Sequence, residues 1–183
     1  ILGQNTLQAI PTDFYVDCAY NSGMTQYIRH AVASLDEVIP AIYANMDNWK
    51  TPRLTLFSGH SIGISSLRMR TFARSAMRNQ LCCVSCKLEA KYFAVESFAR
   101  NKDQTSVHAN LYGVKEDGTE VLFTHDHIIA RALGGEDTLN NSQTMCGPCN
   151  WAKGTVEGKQ VNCQRFMTTL SSRAQRKKQE LLD

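Results

Sequence analysis

Between Ser65 and Gln80, in SSLRMRTFARSAMRNQ, residues Met69, Phe72, Ala73, Ala76 and Met77 recur at the i, i+3, i+4, i+7, i+8 spacing of one helical face. That face is expected to be core. Further on the pattern shortens: KYFAVES and HANLYGV read as strands, and Glu116-Asp117-Gly118-Thr119 is an Asp-Gly hairpin signal before a strand from Glu120 to His125. From Cys146, CGPCNWAKG reads as a turn that opens a helix. The order predicted around this region is strand, turn, strand, loop, helix.

The flanks are plainer. From Ile1 to about Gly63 the chain reads as helix-rich, with one helix from Thr25 to about Ile39 and another opening at Pro40. A competing start is a capping box in which Ser34 is followed by Glu37. It would put Pro40 in the second turn, where proline removes a backbone hydrogen bond. The end, CQRFMTTLSSRAQRKKQELLD, reads as a basic helix or tail with Arg173, Arg176, Lys177 and Lys178 clustered. Three parts follow: a helix-rich N-terminal extension over residues 1–64, a central domain over 65–160 and a basic C-terminal segment over 161–183.

The length of 183 residues and the apolar fraction of 43% allow a normal core, in one domain or one domain with a helical appendage. The start, ILGQNTLQAI, lacks the basic and apolar regions of a signal peptide, and no apolar run reaches the roughly 18 residues that span a bilayer. A soluble protein with no membrane partner is expected. The net charge of +3 is modest, but its distribution is uneven. Arg70, Arg74 and Arg78 form a stripe at i, i+4, i+8, Arg68 adds to it, and no Asp or Glu lies in that segment. The stripe is either a solvated face or a contact for phosphates.

Of the seven cysteines, Cys83, Cys86, Cys146 and Cys149 form two Cys-x-x-Cys pairs, while Cys18, Cys82 and Cys163 are scattered. An odd count in this pattern suits a reducing cytoplasm better than a disulfide scaffold. Each pair offers two thiolates that one turn can converge on a single ion, and thiolates favour tetrahedral zinc. Cys83, Cys86, Cys146 and Cys149 are therefore the expected ligands of a structural Zn2+. Asn150 follows Cys149 directly, tying its amide to that knuckle. A carboxylate from Asp126 and the amide oxygen of Asn150, with waters, form a ligand set for Mg2+ or Mn2+, leaving His127 free as a base. Asp126 and His127 alternate on a strand, so both serve one site only if the backbone turns there.

With Asp126-His127, Asn141, Cys146, Cys149 and Asn150 in this order, the chain resembles the HNH endonucleases, nucleases with a ββα-metal fold, and especially the zinc-bound versions common in large tailed phages. The resemblance covers roughly Ser65 to Gly154. It implies an α+β fold, with a ββα-metal core held by a four-cysteine zinc knuckle beside a helical N-terminal extension. It also implies a metal-dependent endonuclease acting on double-stranded DNA: His127 is the general base, Asp126 and Asn150 hold the catalytic cation, and Asn141 braces the loop between strand and helix. Lys153, one helical turn after Asn150, is expected to meet the scissile phosphate; Arg131, Arg70, Arg74, Arg78 and His125 are further candidates for nucleic-acid contact. Trp151 is expected in the core of the knuckle. Two departures stand out: the last position is Asn150 where the commonest family pattern has His, and the long interval between Cys86 and Cys146 holds an extra hairpin. The expected location is the cytoplasm, that of the host if the gene is a phage's. Oligomeric state is left open, a homodimer included. A zinc-stabilised DNA-binding module without activity, and a junction-resolving or RNA-cleaving nuclease of the same fold, are the rival readings.

Overall fold

The alternation of apolar and polar positions that predicts strands in the second half of the chain also operates earlier, and it builds one sheet across the expected domain boundary. The structure, a computed structural model, describes residues 15–16, 27–48, 50–99 and 106–154. The basic C-terminal segment, Cys18 and Cys163 lie outside the described residues. Strands β1 (Tyr15–Val16), β2 (Tyr27–Ser34), β5 (Ala90–Phe98), β6 (His108–Val114), β7 (Glu120–His127) and β8 (Ser142–Cys146) form a six-stranded sheet in the order β1-β2-β5-β6-β7-β8. Every pairing is antiparallel. A hairpin of β3 (Arg53–Thr55) and β4 (Ser61–Gly63) stands apart from it. Helices α1 (Leu35–Tyr43) and α2 (Leu67–Met77) pack on one face, and α3 (Gly147–Lys153) closes the chain's described part.

Of the helix expected from Thr25 to about Ile39, only the stretch from Leu35 onward is helical, as the opening of α1. Tyr27–Ser34 is a strand instead, paired along its length with β5. Tertiary pairing overrides local preference here: Ile28 and Val32 are β-branched, and the strand completes hydrogen bonds that β5 would otherwise expose. The helix begins where the competing signal put it, at Ser34, whose hydroxyl accepts from the Glu37 N–H at 3.1 Å. Glu37 does not return the bond as a capping box requires; its Oε1 accepts from the Phe57 N–H at 2.6 Å and joins α1 to the β3–β4 hairpin. Pro40 sits inside α1, not at its start. The extension over residues 1–64 thus contributes the β2–β5 pairing, and no break in the sheet marks residue 64.

The core lies between the sheet and α1–α2, where Val38, Ile42, Phe72, Phe93, Leu111 and Phe123 are fully buried. Met69, Phe72 and Ala73 of the expected α2 face are buried with them, whereas Met77 is exposed where the helix ends. The far side of the sheet is also dry, but polar. Glu96 is fully buried and accepts from Arg29 Nε (3.1 Å), Asn110 Nδ2 (2.7 Å) and the Tyr112 hydroxyl (3.0 Å). Saturating its oxygens offsets the cost of burying a carboxylate. The extra hairpin between Cys86 and Cys146 is explained by this topology: β5 and β6 are the middle of the sheet, linking the N-terminal strands to β7 and β8.

Candidate active site

The four paired cysteines converge. Cys83 and Cys86 lie in the turn between α2 and β5, Cys146 ends β8 and caps α3, and Cys149 sits in the first turn of α3. Their sulfurs all lie within 4.8 Å of one another, and those of Cys86 and Cys146 are 3.7 Å apart. Zinc–sulfur bonds of about 2.3 Å around a tetrahedral ion separate neighbouring sulfurs by about 3.8 Å, so the cluster is compatible with zinc. Cys82 stays outside it and pairs with Glu89 through the backbone. Hydrogen bonds from the thiols of Cys146, then Cys149 and Cys86, shift Cys83 toward the thiolate, the form that a metal requires. The knuckle is sewn to the sheet by the Val84 N–H, which donates to the Thr144 carbonyl at 3.1 Å.

Next to this knuckle lies a pocket of about 290 Å³ bordered by His125, Asp126, His127, Ala130, Arg131, Ala132, Asn150 and Gly154. Strand β7 supplies the first three in succession. The backbone does not turn between Asp126 and His127, contrary to the expected condition; it turns after His127, where the Ile128 N–H donates to the Asn141 carbonyl at 2.9 Å. The alternation of the strand gives the two side chains different surroundings. Asp126 is buried, opposite Gln143 on β8, and its Oδ2 accepts from Gln143 Nε2 at 2.7 Å. His127 is half-buried and its Nε2 lies 2.6 Å from Asp137 Oδ1. Asn150 reaches the pocket from α3, held by its Nδ2, which donates to Thr124 Oγ1 at 2.8 Å. His125 and His127 have ring centroids 5.5 Å apart. Burial, then the neighbouring His127, hold the His125 imidazole below the usual histidine value.

Asn141 closes the loop that follows. Its Oδ1 accepts from the Ile129 N–H at 2.8 Å, while its Nδ2 donates to the carbonyls of Ile129 (3.1 Å) and Glu136 (2.9 Å). This side chain touches backbone at both ends of the loop. Residues 114–161 match the HNH endonuclease family. The matched stretch opens at the last residue of β6 and takes in β7, the loop, β8 and α3, while Cys83 and Cys86 lie before it. The match points to nuclease activity on nucleic acid. Neither the curated proteins nor the solved structures gave a match.

Several expected contacts are placed differently. Lys153 is fully buried: its Nζ donates to Asp126 Oδ2 at 2.7 Å and also to the His127 carbonyl. It faces the back of the Asp-His pair and not a phosphate, because the last turn of α3 packs on β7. A charged amine is tolerated there because the buried carboxylate neutralises it. Trp151, expected in the core, is 58% exposed. The arginine stripe of α2 is also turned largely inward. Arg70 is buried and donates to the Asn48 carbonyl at 3.1 Å, and Arg74 donates to the Ser142 carbonyl. The shared face of these arginines is the one α2 packs against the loop after α1 and against β8. Arg68 is likewise engaged, with Asn110 Oδ1 and the Ala109 carbonyl. Arg78, at the end of α2, is exposed, as is Arg131 on the rim of the pocket.

Asp137 belongs to the site without having been marked by any motif. Its signal was its place in Gly134-Gly135-Glu136-Asp137, a loop that returns to the strand end through Asn141. The loop depends on Gly135, where an added Cβ would lie 1.8 Å from the Ile129 carbonyl oxygen and 2.9 Å from Asn141 Nδ2. Gly135→Ala is therefore expected to dislodge the loop at a cost of about 1–3 kcal/mol, measured as a fall in the denaturant midpoint. An unchanged midpoint would show that the loop can yield freely.

Proposed function

We propose that this protein is a metal-dependent DNA endonuclease that hydrolyses phosphodiester bonds. The observation that carries the reading is the convergence of Asp126, His127 and Asn150 on one pocket beside the four-cysteine cluster. Zinc is the ion we assign to Cys83, Cys86, Cys146 and Cys149, on the grounds of four sulfurs within 4.8 Å of one another, a spacing that tetrahedral zinc–thiolate bonds fit. Its part is structural, since every position is filled by sulfur.

A second, hard cation fits Asp126 and Asn150. The bonds accepted by Asp126 both fall on Oδ2, and Asn150 commits its Nδ2 to Thr124, so each side chain keeps an oxygen at the pocket. One carboxylate and one amide oxygen with room for water suit Mg2+ or Mn2+. When bound, such a cation would offset charge on the phosphate and on the leaving oxygen. His127 takes the proton from the attacking water as general base. Lys153 fixes the carboxylate of Asp126 from behind, and Asn141 holds the loop that walls the pocket. Among the cations expected to meet phosphate, Arg131 and Arg78 have the exposure to do so. Cleavage by this route leaves a 5′-phosphate and a 3′-hydroxyl.

The test is a supercoiled plasmid incubated with the protein in Mg2+ or Mn2+ and in EDTA, beside a four-way junction and an RNA. Nicking or linearisation of the plasmid with metal and none in EDTA is expected. Binding without cleavage of any substrate would leave a zinc-stabilised DNA-binding module; preference for the junction or RNA would move the substrate accordingly.

A further inference from the structure

We infer that Asp137 is a positioning residue for His127, holding its imidazole in the tautomer that leaves Nδ1 to take a proton. The contact is His127 Nε2 to Asp137 Oδ1 at 2.6 Å. An ionised carboxylate only accepts hydrogen bonds, so the hydrogen in this contact belongs to Nε2. In the neutral ring Nδ1 is then the basic nitrogen. Asp137 stays ionised at neutral pH, because its bond to His127 holds its carboxyl below the usual range, with the Arg131 charge adding to the effect.

Asp137 is itself exposed, so burial does not hold it. Its neighbours do. The Glu136 carbonyl, on one side, accepts from Asn141 Nδ2 at 2.9 Å. The Thr138 carbonyl, on the other, accepts from the Ser142 hydroxyl at 2.7 Å and from the Asn141 N–H at 3.2 Å. The bare Cα of Gly135 lets the loop lie against Ile129 closely enough for these bonds to form. Asp137 is thus presented to the ring by a clamped backbone, an arrangement that costs little entropy on each turnover. The competing partner, Arg131 Nε, is 3.7 Å away on an exposed side chain, a geometry in which ion pairs contribute little. Asn141 acts at one remove: by bracing the loop it places the residue that orients the base.

The consequence for cleavage rests on the nuclease reading; the contact does not. The test compares the wild type with Asp137→Ala and Asp137→Asn in two measurements. Long-range proton–nitrogen correlation spectra of nitrogen-15-histidine protein should find His127 as the Nε2–H tautomer in the wild type and as a mixture in Asp137→Ala. In plasmid cleavage, Asp137→Ala should lose about 10- to 100-fold in kcat, the usual effect of removing an orienting partner, with KM and the thermal midpoint unchanged. Asp137→Asn keeps an acceptor oxygen and should recover most of the rate. An unchanged tautomer, or a loss confined to KM or to stability, overturns the assignment. A wild type that cleaves no substrate overturns the nuclease reading instead, and the spectra still decide whether Asp137 holds the ring.

Discussion

His127→Ala is expected to lower plasmid cleavage by about 10²- to 10⁴-fold, the contribution of a positioned general base, while the protein stays folded and still binds DNA. The expected separation of activity from stability comes from the position of the ring. It sits at the end of β7, hydrogen-bonds the exposed Asp137 and lies outside the core between the sheet and α1–α2, so its loss opens no cavity there. The β7–β8 pairing that carries Asp126 and Cys146 is backbone, and alanine keeps it. Equal cleavage by the variant would remove His127 from the chemistry. A variant that also loses thermal stability would show that the ring packs more tightly than its position indicates.

Cys149→Ser should have the opposite profile, breaking the site by breaking its support. A structural zinc site supplies about 10–16 kcal/mol of apparent binding energy, as much as or more than the roughly 5–15 kcal/mol net stability of a whole domain. Cys149 is fully buried in the first turn of α3, a seven-residue helix too short to persist without tertiary contacts. Its loss should therefore release α3 and β8 and with them Asn150 and Lys153. One zinc per chain in the wild type, and its loss in the variant, is the first measurement. Hydrogen exchange is the second: protection should vanish over 142–153 and persist in β5 and β6, whose side chains belong to the Phe72–Phe93–Leu111 core. Full protection of α3 in zinc-free protein would make the cysteines a cluster that needs no metal.

Much of the site was legible because its chemistry is local. The Cys-x-x-Cys pairs, the Asp126-His127 dipeptide and the Cys149-Asn150 junction are spacings of a few residues, and each requires a turn or strand end that the sequence also signals. The same holds for the strands after Cys86, where alternation and an Asp-Gly turn agree; Gly118 takes the left-handed conformation that turn needs, with φ of 82°. Asn141 was singled out by the resemblance to the HNH endonucleases and not by its local chemistry, and its amide does bond the loop backbone.

The errors share a different physical origin. Tyr27–Ser34 is a strand because β5, more than sixty residues on, pairs with it, and nothing in its own composition records that partner. The arginines of α2 do share a helical face, as their spacing requires. Whether that face meets water or protein is decided by Asn48 and Ser142, which are distant in sequence. Lys153 likewise lies one turn beyond Asn150, but α3 rolls it under β7 to reach Asp126.

By itself the sequence picked out the candidate ligands, the candidate base and the order of strand, loop and helix that carries them, since these depend on residue chemistry and short-range geometry. The tertiary structure alone decided which charges stay exposed and which brace the site from within: Lys153 on Asp126, Arg74 on β8, and Asp137 on the ring of His127. Charge pairing and burial are settled between residues that meet only after the chain has folded, and the sheet order that brings them together is set by the burial of the whole core.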